Sequence, residues 1–218
     1  MITIRQAVPE DVEYGARIID LASTQQLELP SFKGEQKINN WAVAFPGSEE
    51  KRLEILARYF LNAEKLSTHY SRFKVAEVDG RIAGGLCTHT KEHDSFSAWT
   101  RAAHDVGFTY PEIIAIYWRM LPFYRTHLSI LKDTLIVEYV ATFPEFQRRG
   151  VITALLADAI EKAKSEHFPR MQVITFIGNL ASKGAYEKVG FRVDKESTNK
   201  SFEKLFGSPG QVRLVLTL

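Results

Sequence analysis

Residues 137–152 read Val137-Glu138-Tyr139-Val140-Ala141-Thr142-Phe143-Pro144-Glu145-Phe146-Gln147-Arg148-Arg149-Gly150-Val151-Ile152. A β-rich run over Leu135–Thr142 stops at Pro144, a short polar turn follows, and Gly150 stands where a second pattern begins. Ile152, Leu155, Leu156, Ala159, Ile160 and Ala163 recur at helical spacing and predict a helix over Val151–His167 with one stripe on a core. The first N–H groups of such a helix have no intrahelical partner, and its dipole is positive at that end. With Arg148 and Arg149 beside those amides, the turn suits a diphosphate-like anion. A solvated turn in a βαβ crossover is the plainer alternative. Two phosphate loops are excluded. A Walker loop needs Gly-Lys-Ser/Thr entering the helix, whereas Val151-Ile152-Thr153 follows Gly150, and the dinucleotide fingerprint needs two further glycines.

Downstream, the pattern predicts a strand over Gln172–Ile177, a helix over Ala181–Val189 closed by Gly190, and short strands at 191–194 and 211–217. Upstream, alternating Ile2, Ile4 and Val8 predict a strand over 2–8. Pro9-Glu10-Asp11 then opens a helix running through Val12, Ala16, Ile19 and Leu21 until Pro30–Gly34 interrupts it. A further helix is expected over Glu49–Ala63. Asp79-Gly80, between Phe73–Val78 and Arg81–Cys87, predicts a hairpin with a type I′ turn. Residues 91–133 hold eight of the chain's 25 aromatic residues, with a helix expected over Pro111–Met120 and broken or kinked at Pro122. The expected order is β-α-α-β-β-(insertion)-β-α-β-α-β-β, one α/β or α+β domain over 1–218 with an insertion at about 91–133.

Composition narrows the function classes. The 218 residues carry 28 Lys+Arg against 26 Asp+Glu, too balanced for a chain whose main task is to hold nucleic acid. A single cysteine, Cys87, excludes an internal disulfide, and no Cys/His spacing reads as a zinc site. The first residues lack the layout of a signal peptide, and no apolar run reaches the ~18 residues of a membrane helix. A soluble, cytoplasmic protein without nucleic-acid or membrane partners is expected.

A second stretch, Asn179-Leu180-Ala181-Ser182-Lys183-Gly184-Ala185-Tyr186-Glu187-Lys188-Val189-Gly190-Phe191, follows the next strand. Here the sequence resembles the GNAT acyltransferase superfamily. Gln147-Arg148-Arg149-Gly150 after a strand is similar to that family's pyrophosphate loop, and Asn179…Gly190-Phe191 resembles its second signature. Ile4-Arg5-Gln6-Ala7-Val8-Pro9-Glu10-Asp11 resembles its usual start. The likeness covers 135–193 well and 1–22 and 72–90 loosely, leaving 23–66 and 91–133 unaccounted for. It implies a mixed, mostly antiparallel sheet flanked by helices, and an amine that attacks the thioester of acetyl-CoA directly. One position departs from the family pattern. Ile152 stands where Gly or Ala is usual: it would either hold the pyrophosphate away from the backbone amides or, as its spacing with Leu155, Leu156 and Ala159 favours, turn into the core.

The resemblance further implies coenzyme contacts from the backbone of Val140, Ala141 and Thr142, from the loop Gln147, Arg148, Arg149, Gly150, Val151, Ile152 and Thr153, and from Asn179. It implies Tyr186 as proton donor to the departing sulfur. The alternatives are a packed helix aromatic for Tyr186 and a helix cap for Asn179. Glu138 is the candidate base: strand alternation puts it on the face of Val140 and Thr142, and a half-buried cleft would raise its pKa. A carboxylate paired with Lys or Arg is the alternative. His89 and His93 would need a helix and a third ligand to hold a metal, and no metal is expected. Cys87 reads as a small buried hydrophobe. The insertion's aromatics could wall an acceptor site, pack as an extra helix, or form a homodimer interface. Its charges balance, which gives no acidic pocket for a polyamine. The acceptor expected is a small-molecule amine.

Overall fold

The computed structural model describes residues 1–29 and 36–218, Gln36 for its main chain only. The Pro30–Gly34 break therefore lies outside the described residues. Strand β1 (Ile2–Gln6) leads through a 3-10 turn at Pro9–Asp11 into helix α1 (Val12–Ala22). A short hairpin, β2 (Thr24–Leu27) with β3 (Gln36–Asn39), and helix α2 (Asn40–Ala44) precede α3 (Glu49–Phe60). Strands β4 (Phe73–Val78) and β5 (Arg81–His89) follow, then α4 (Phe96–Asp105) and α5 (Tyr110–Tyr124). The remainder is β6 (Thr134–Thr142), α6 (Val151–Ser165), β7 (Arg170–Phe176), α7 (Leu180–Lys188), β8 (Arg192–Thr198), α8 (Lys200–Phe206) and β9 (Gly210–Thr217).

Seven strands form one sheet in the order β1-β4-β5-β6-β7-β9-β8, antiparallel except for β6 with β7. The expected mixed, mostly antiparallel sheet flanked by helices is the fold observed. Asp79 (φ +52°) and Gly80 (φ +75°) both take left-handed backbone, as the type I′ turn between β4 and β5 requires. Gly84 lets β5 approach β6 closely, because a Cβ there would lie 2.2 Å from the Ala141 carbonyl oxygen.

The two faces of the sheet are covered differently. Ile18 of α1 reaches over Gly85, and Phe60 of α3 packs on Phe73, so α1 and α3 cover the face that Cys87 shares. Lys162 of α6 donates to the Thr88 hydroxyl at 2.9 Å, which places α6 on the opposite face. Ile152 packs partly buried against the main core, as its spacing predicts.

The insertion is two helices rather than one. Helix α5 runs from Tyr110 through Pro122 to Tyr124, so the expected break at Pro122 does not occur. A proline two residues from a helix end forfeits a single backbone bond, and Arg125 N–H still reaches the Leu121 carbonyl. Trp99, Phe108, Met120 and Phe123 pack with Phe45 and Tyr59 and with Phe176, Phe202 and Phe206 into a second, aromatic core. Phe96, Tyr110, Tyr117, Trp118 and Tyr124 stay exposed. The insertion thus packs as an extra helical layer and keeps an aromatic outer face. No helix among the described residues is long and apolar enough to cross a membrane.

Candidate active site

Strands β6 and β7 pair only over Thr134–Ile136 and Arg170–Gln172, although β6 continues to Thr142 and β7 to Phe176. Beyond Ile136 that pairing stops, and among the described residues the β7-facing edge of Val137–Thr142 has no strand partner. An unpaired strand edge inside a sheet is a slot where an extended polar arm can take over the missing hydrogen bonds. The Thr142 hydroxyl is buried and lacks a partner in the same region.

At the end of this slot lies the turn singled out in the sequence. Arg148 (φ +61°) and Gly150 (φ +82°) both adopt left-handed backbone on either side of Arg149. Gly150 is the N-cap of α6 and accepts the Ala154 N–H at 3.0 Å, so the amides of Val151, Ile152 and Thr153 begin the helix without intrahelical partners. The space beyond the Gly150 Cα is open, with no atom within 4 Å of where a Cβ would stand. Arg148 and Arg149 are exposed, and the Arg149 guanidinium lies over the Phe146 ring, 5.6 Å from its centroid. Open space, converging amides and two cations fit a diphosphate.

Glu138 is not where alternation puts it. Cys87 pairs with Glu138 and Gly85 with Ala141, so three steps on β6 face two on β5. The additional residue forms a β-bulge at Tyr139, which takes φ +50°. Glu138 consequently shares the α1 face with Cys87 and Ala141, and Thr142, opposite Gly84, belongs to the other face. The expectation of one common face for Glu138, Val140 and Thr142 fails because a bulge breaks the period of two. Tyr139 stacks on Phe73, with ring centroids 6.0 Å apart.

The partner of Glu138 is neither Lys nor Arg. His89 Nε2 lies 3.2 Å from Glu138 Oε2, in ionic contact but oblique to the direction of a good hydrogen bond. His89 Nδ1 lies 3.1 Å from the Thr90 carbonyl oxygen and 4.0 Å from Asp94 Oδ2. Asp94 in turn accepts the Ser67 N–H at 2.9 Å, and the Cys87 thiol donates to the Ser67 carbonyl at 2.9 Å. The His89 ring is sealed, whereas the Glu138 side chain is 41% accessible.

Charge follows from this arrangement. Burial pushes the Glu138 carboxyl up, but the charge and contact of His89, with help from His127 and Ser67, outweigh it and hold the group below its ordinary value. The expected upward shift is therefore reversed. Burial pulls His89 down, and Glu138 with Asp94 more than restores it, so the imidazole binds its proton more tightly than a free one. Burial, then the charge of Glu138, raises Asp94. Burial holds Cys87 as a neutral thiol, in keeping with its reading as a small buried group.

Tyr186 is buried, its ring 5.9 Å from that of Phe191, and burial plus the nearby charge of Glu138 keep its phenol protonated far above neutral pH. Asn179 is also buried. Its Oδ1 accepts the Ser182 N–H at 3.1 Å, so it caps α7, and its Nδ2 donates to Gln25 Oε1 at 2.9 Å. Both amide ends of Asn179 are thus engaged within the protein.

Tyr186 lies near enough to Glu138 for that charge to act on its phenol, and the 147–153 turn follows the end of β6 in the chain. Asp94 and Ser67 escaped the sequence reading, which weighed His89 only as a metal ligand beside His93. His89 and His93 do not share a helix, and the His93 ring accepts the Thr90 N–H at 3.1 Å. The third and fourth groups near His89 come instead from Asp94 and Glu138, and one ligand atom from each of His89, Asp94 and Glu138 lies within 4.8 Å of the others. The signal available in sequence was the pairing of a hairpin strand with the motif strand. Without its register, that pairing cannot select residue 89.

Comparison with known proteins bears on the family and the fold. No curated protein sequence matches the chain significantly. An N-acetyltransferase from Staphylococcus aureus Mu50 has a similar structure, with TM-score 0.69 and 20% identity over 98% of this chain and 100% of that one. The PaiA N-acetyltransferase from Thermoplasma acidophilum, solved in complex with coenzyme A, gives TM-score 0.52 and 17% identity over 100% and 99% of the two chains. These likenesses show a common fold. A sequence model of the acetyltransferase (GNAT) family matches residues 35–191, the greater part of the chain. On that match the chain belongs to the acetyltransferase (GNAT) family.

Proposed function

We propose that the protein transfers an acetyl group from acetyl-CoA to a primary amine of a small-molecule acceptor. The observation that carries this is the edge of β6 left unpartnered among the described residues, with the Glu138 carboxylate on the strand and the amide-lined turn at Gly150 in the loop that follows its end at Thr142. The turn residues 147–153 would hold the diphosphate, and the free main-chain edge of Val140, Ala141 and Thr142 would align the arm that carries the thioester. A backbone donor aimed at the oxygen that gains charge during attack is worth about 3 kcal/mol.

Glu138 then takes the proton that the attacking ammonium must lose, at a carboxylate oxygen that is charged at neutral pH and open to the cleft. The Tyr186 hydroxyl, protonated throughout the physiological range, supplies a proton to the departing sulfur. Asn179 holds the start of α7, and so Tyr186 two turns later, in position.

The test is calorimetry with acetyl-CoA, followed by acceptor-dependent release of free thiol over a panel of small amines and peptides. Saturable binding with turnover of at least one small amine is expected. Absence of binding by folded protein at millimolar acetyl-CoA overturns the proposal. Binding without turnover would make the protein a coenzyme-A sensor, and peptides outpacing every small amine would make it a modifier of protein amines.

A further inference from the structure

Resting on Glu138 as the base, the proposed chemistry leaves two buried ionisable groups beside it unused. The His89 side chain is 1% accessible, too costly a place for an imidazolium unless anions compensate it. Here they do: the ring lies between Glu138 at 3.2 Å and Asp94 at 4.0 Å, with the Thr90 carbonyl oxygen at 3.1 Å from Nδ1. Asp94 is fixed in turn by the Ser67 N–H. The links join elements that different parts of the chain supply: β5, the turn after it, the loop before β4, and β6.

We propose that His89 and Asp94 are positioning residues for the acetyl transfer, a buried imidazolium and its counter-anion that aim the Glu138 carboxylate and keep it ionised beneath the acceptor amine. The ring has no spare site for a proton, so the proton that Glu138 takes leaves for solvent along the accessible side of the carboxylate. His89 keeps its charge throughout the cycle.

Other groups face this cluster and set its pH response. Cys87 on β5 and Tyr139 on β6 stay neutral because burial, followed by the charge of Glu138, raises both. His93 is lowered by burial and then by Arg72. His127, after α5, and Arg72, before β4, add positive potential, and Lys162 acts on Cys87 from the α6 face. Tyr186 adds only a neutral phenol. None of these replaces the contact that His89 makes.

The deciding measurement is the acid limb of kcat/KM for the acceptor in His89→Gln. Glutamine keeps a hydrogen-bonding side chain and loses the charge. The limb should move about one pH unit to higher pH, with kcat at the alkaline plateau within about fivefold of the parent. A limb that stays in place while kcat falls equally at every pH overturns the inference and leaves His89 a structural residue. Should His89→Gln fail to fold, NMR titration of the wild-type ring decides. His89 should carry protons on both nitrogens at pH 7 and lose one earlier in Asp94→Asn, and a neutral ring at pH 6 overturns the inference. Glu138→Gln separates the two claims: full activity would remove the base assignment, while the ring titration would still report the charge of His89.

Discussion

The side-chain amide of Asn179 donates to the Gln25 carbonyl oxygen at 2.9 Å, joining residues 154 positions apart. The same Gln25 oxygen accepts the Thr175 hydroxyl at 3.2 Å, and the Glu28 N–H meets the Gly178 carbonyl at 2.9 Å. The segment after α1 is thus stitched along the end of β7 and the start of α7, where Tyr186 is carried. Asn179→Ala should lose the cap and leave the Gln25 oxygen short of one donor, at a cost of about 1–2 kcal/mol. Denaturant unfolding should show the midpoint falling with the slope unchanged, and Gln25→Ala should recover part of the same loss.

Tyr186→Phe should lower acceptor turnover about 10–100-fold, since a thiolate already leaves well and gains only part of the usual general-acid effect. Acetyl-CoA affinity by calorimetry should stay within a factor of two, because the proposed coenzyme contacts come from the main chain of β6 and the 147–153 turn. Turnover equal to the parent would remove Tyr186 from the chemistry and leave it a packed aromatic beside Phe191.

Gly150→Ala has room for its methyl group yet must hold φ +82°, so its cost is conformational, about 1 kcal/mol. A small fall in melting temperature should accompany a larger fall in acetyl-CoA affinity if relief of strain rotates the amides of residues 150–152. Arg148 already bears the left-handed penalty at φ +61°. Arg148→Gly should therefore melt higher while binding the coenzyme more weakly. Opposite signs for stability and affinity at one position would be hard to obtain unless the turn is the anion site.

His69 is buried, its Nδ1 2.8 Å from the Ser71 hydroxyl, and burial followed by Lys65 and Arg72 lowers it to about 4. The unfolded chain binds this proton below about pH 6.5 and the folded chain only near 4. Stability should accordingly be full above 6.5 and decline as pH falls through that window, by up to ~3 kcal/mol. His69→Gln should flatten the stability profile between pH 6.5 and 4. An unchanged slope there would place the protonation elsewhere.

Much of the frame was legible because its causes are local. Asp79-Gly80 demands a turn with two left-handed residues, and the stripe from Ile152 to Ala163 demands a helix with one buried face. What escaped has tertiary causes. Thr24-Gln25-Gln26-Leu27 is too polar to announce a strand, and becomes one because Gln25 is drawn into the Asn179 network and Leu27 into the aromatic core. Helix α8 is seven residues long, marked only by Phe202 and Phe206 one turn apart. In the candidate site, Tyr186 and the 147–153 turn were readable from their motifs. The direction of Glu138 was not, because the bulge depends on how β6 meets β5. Nor was its partner, since His89 lies 49 positions away and only the register brings them into contact.

One surplus residue at Tyr139 separates two design problems that a regular strand would couple. In the proposed chemistry, what lies ahead of it can be chosen for proton handling and what lies behind it for aligning the thioester arm, and neither choice constrains the parity of the other. A version of the chain with that residue deleted would make a tidier ladder. It would also swing either the carboxylate or the loop-bearing end of the strand to the wrong side of the molecule, so this irregularity is where the family resemblance becomes a working geometry.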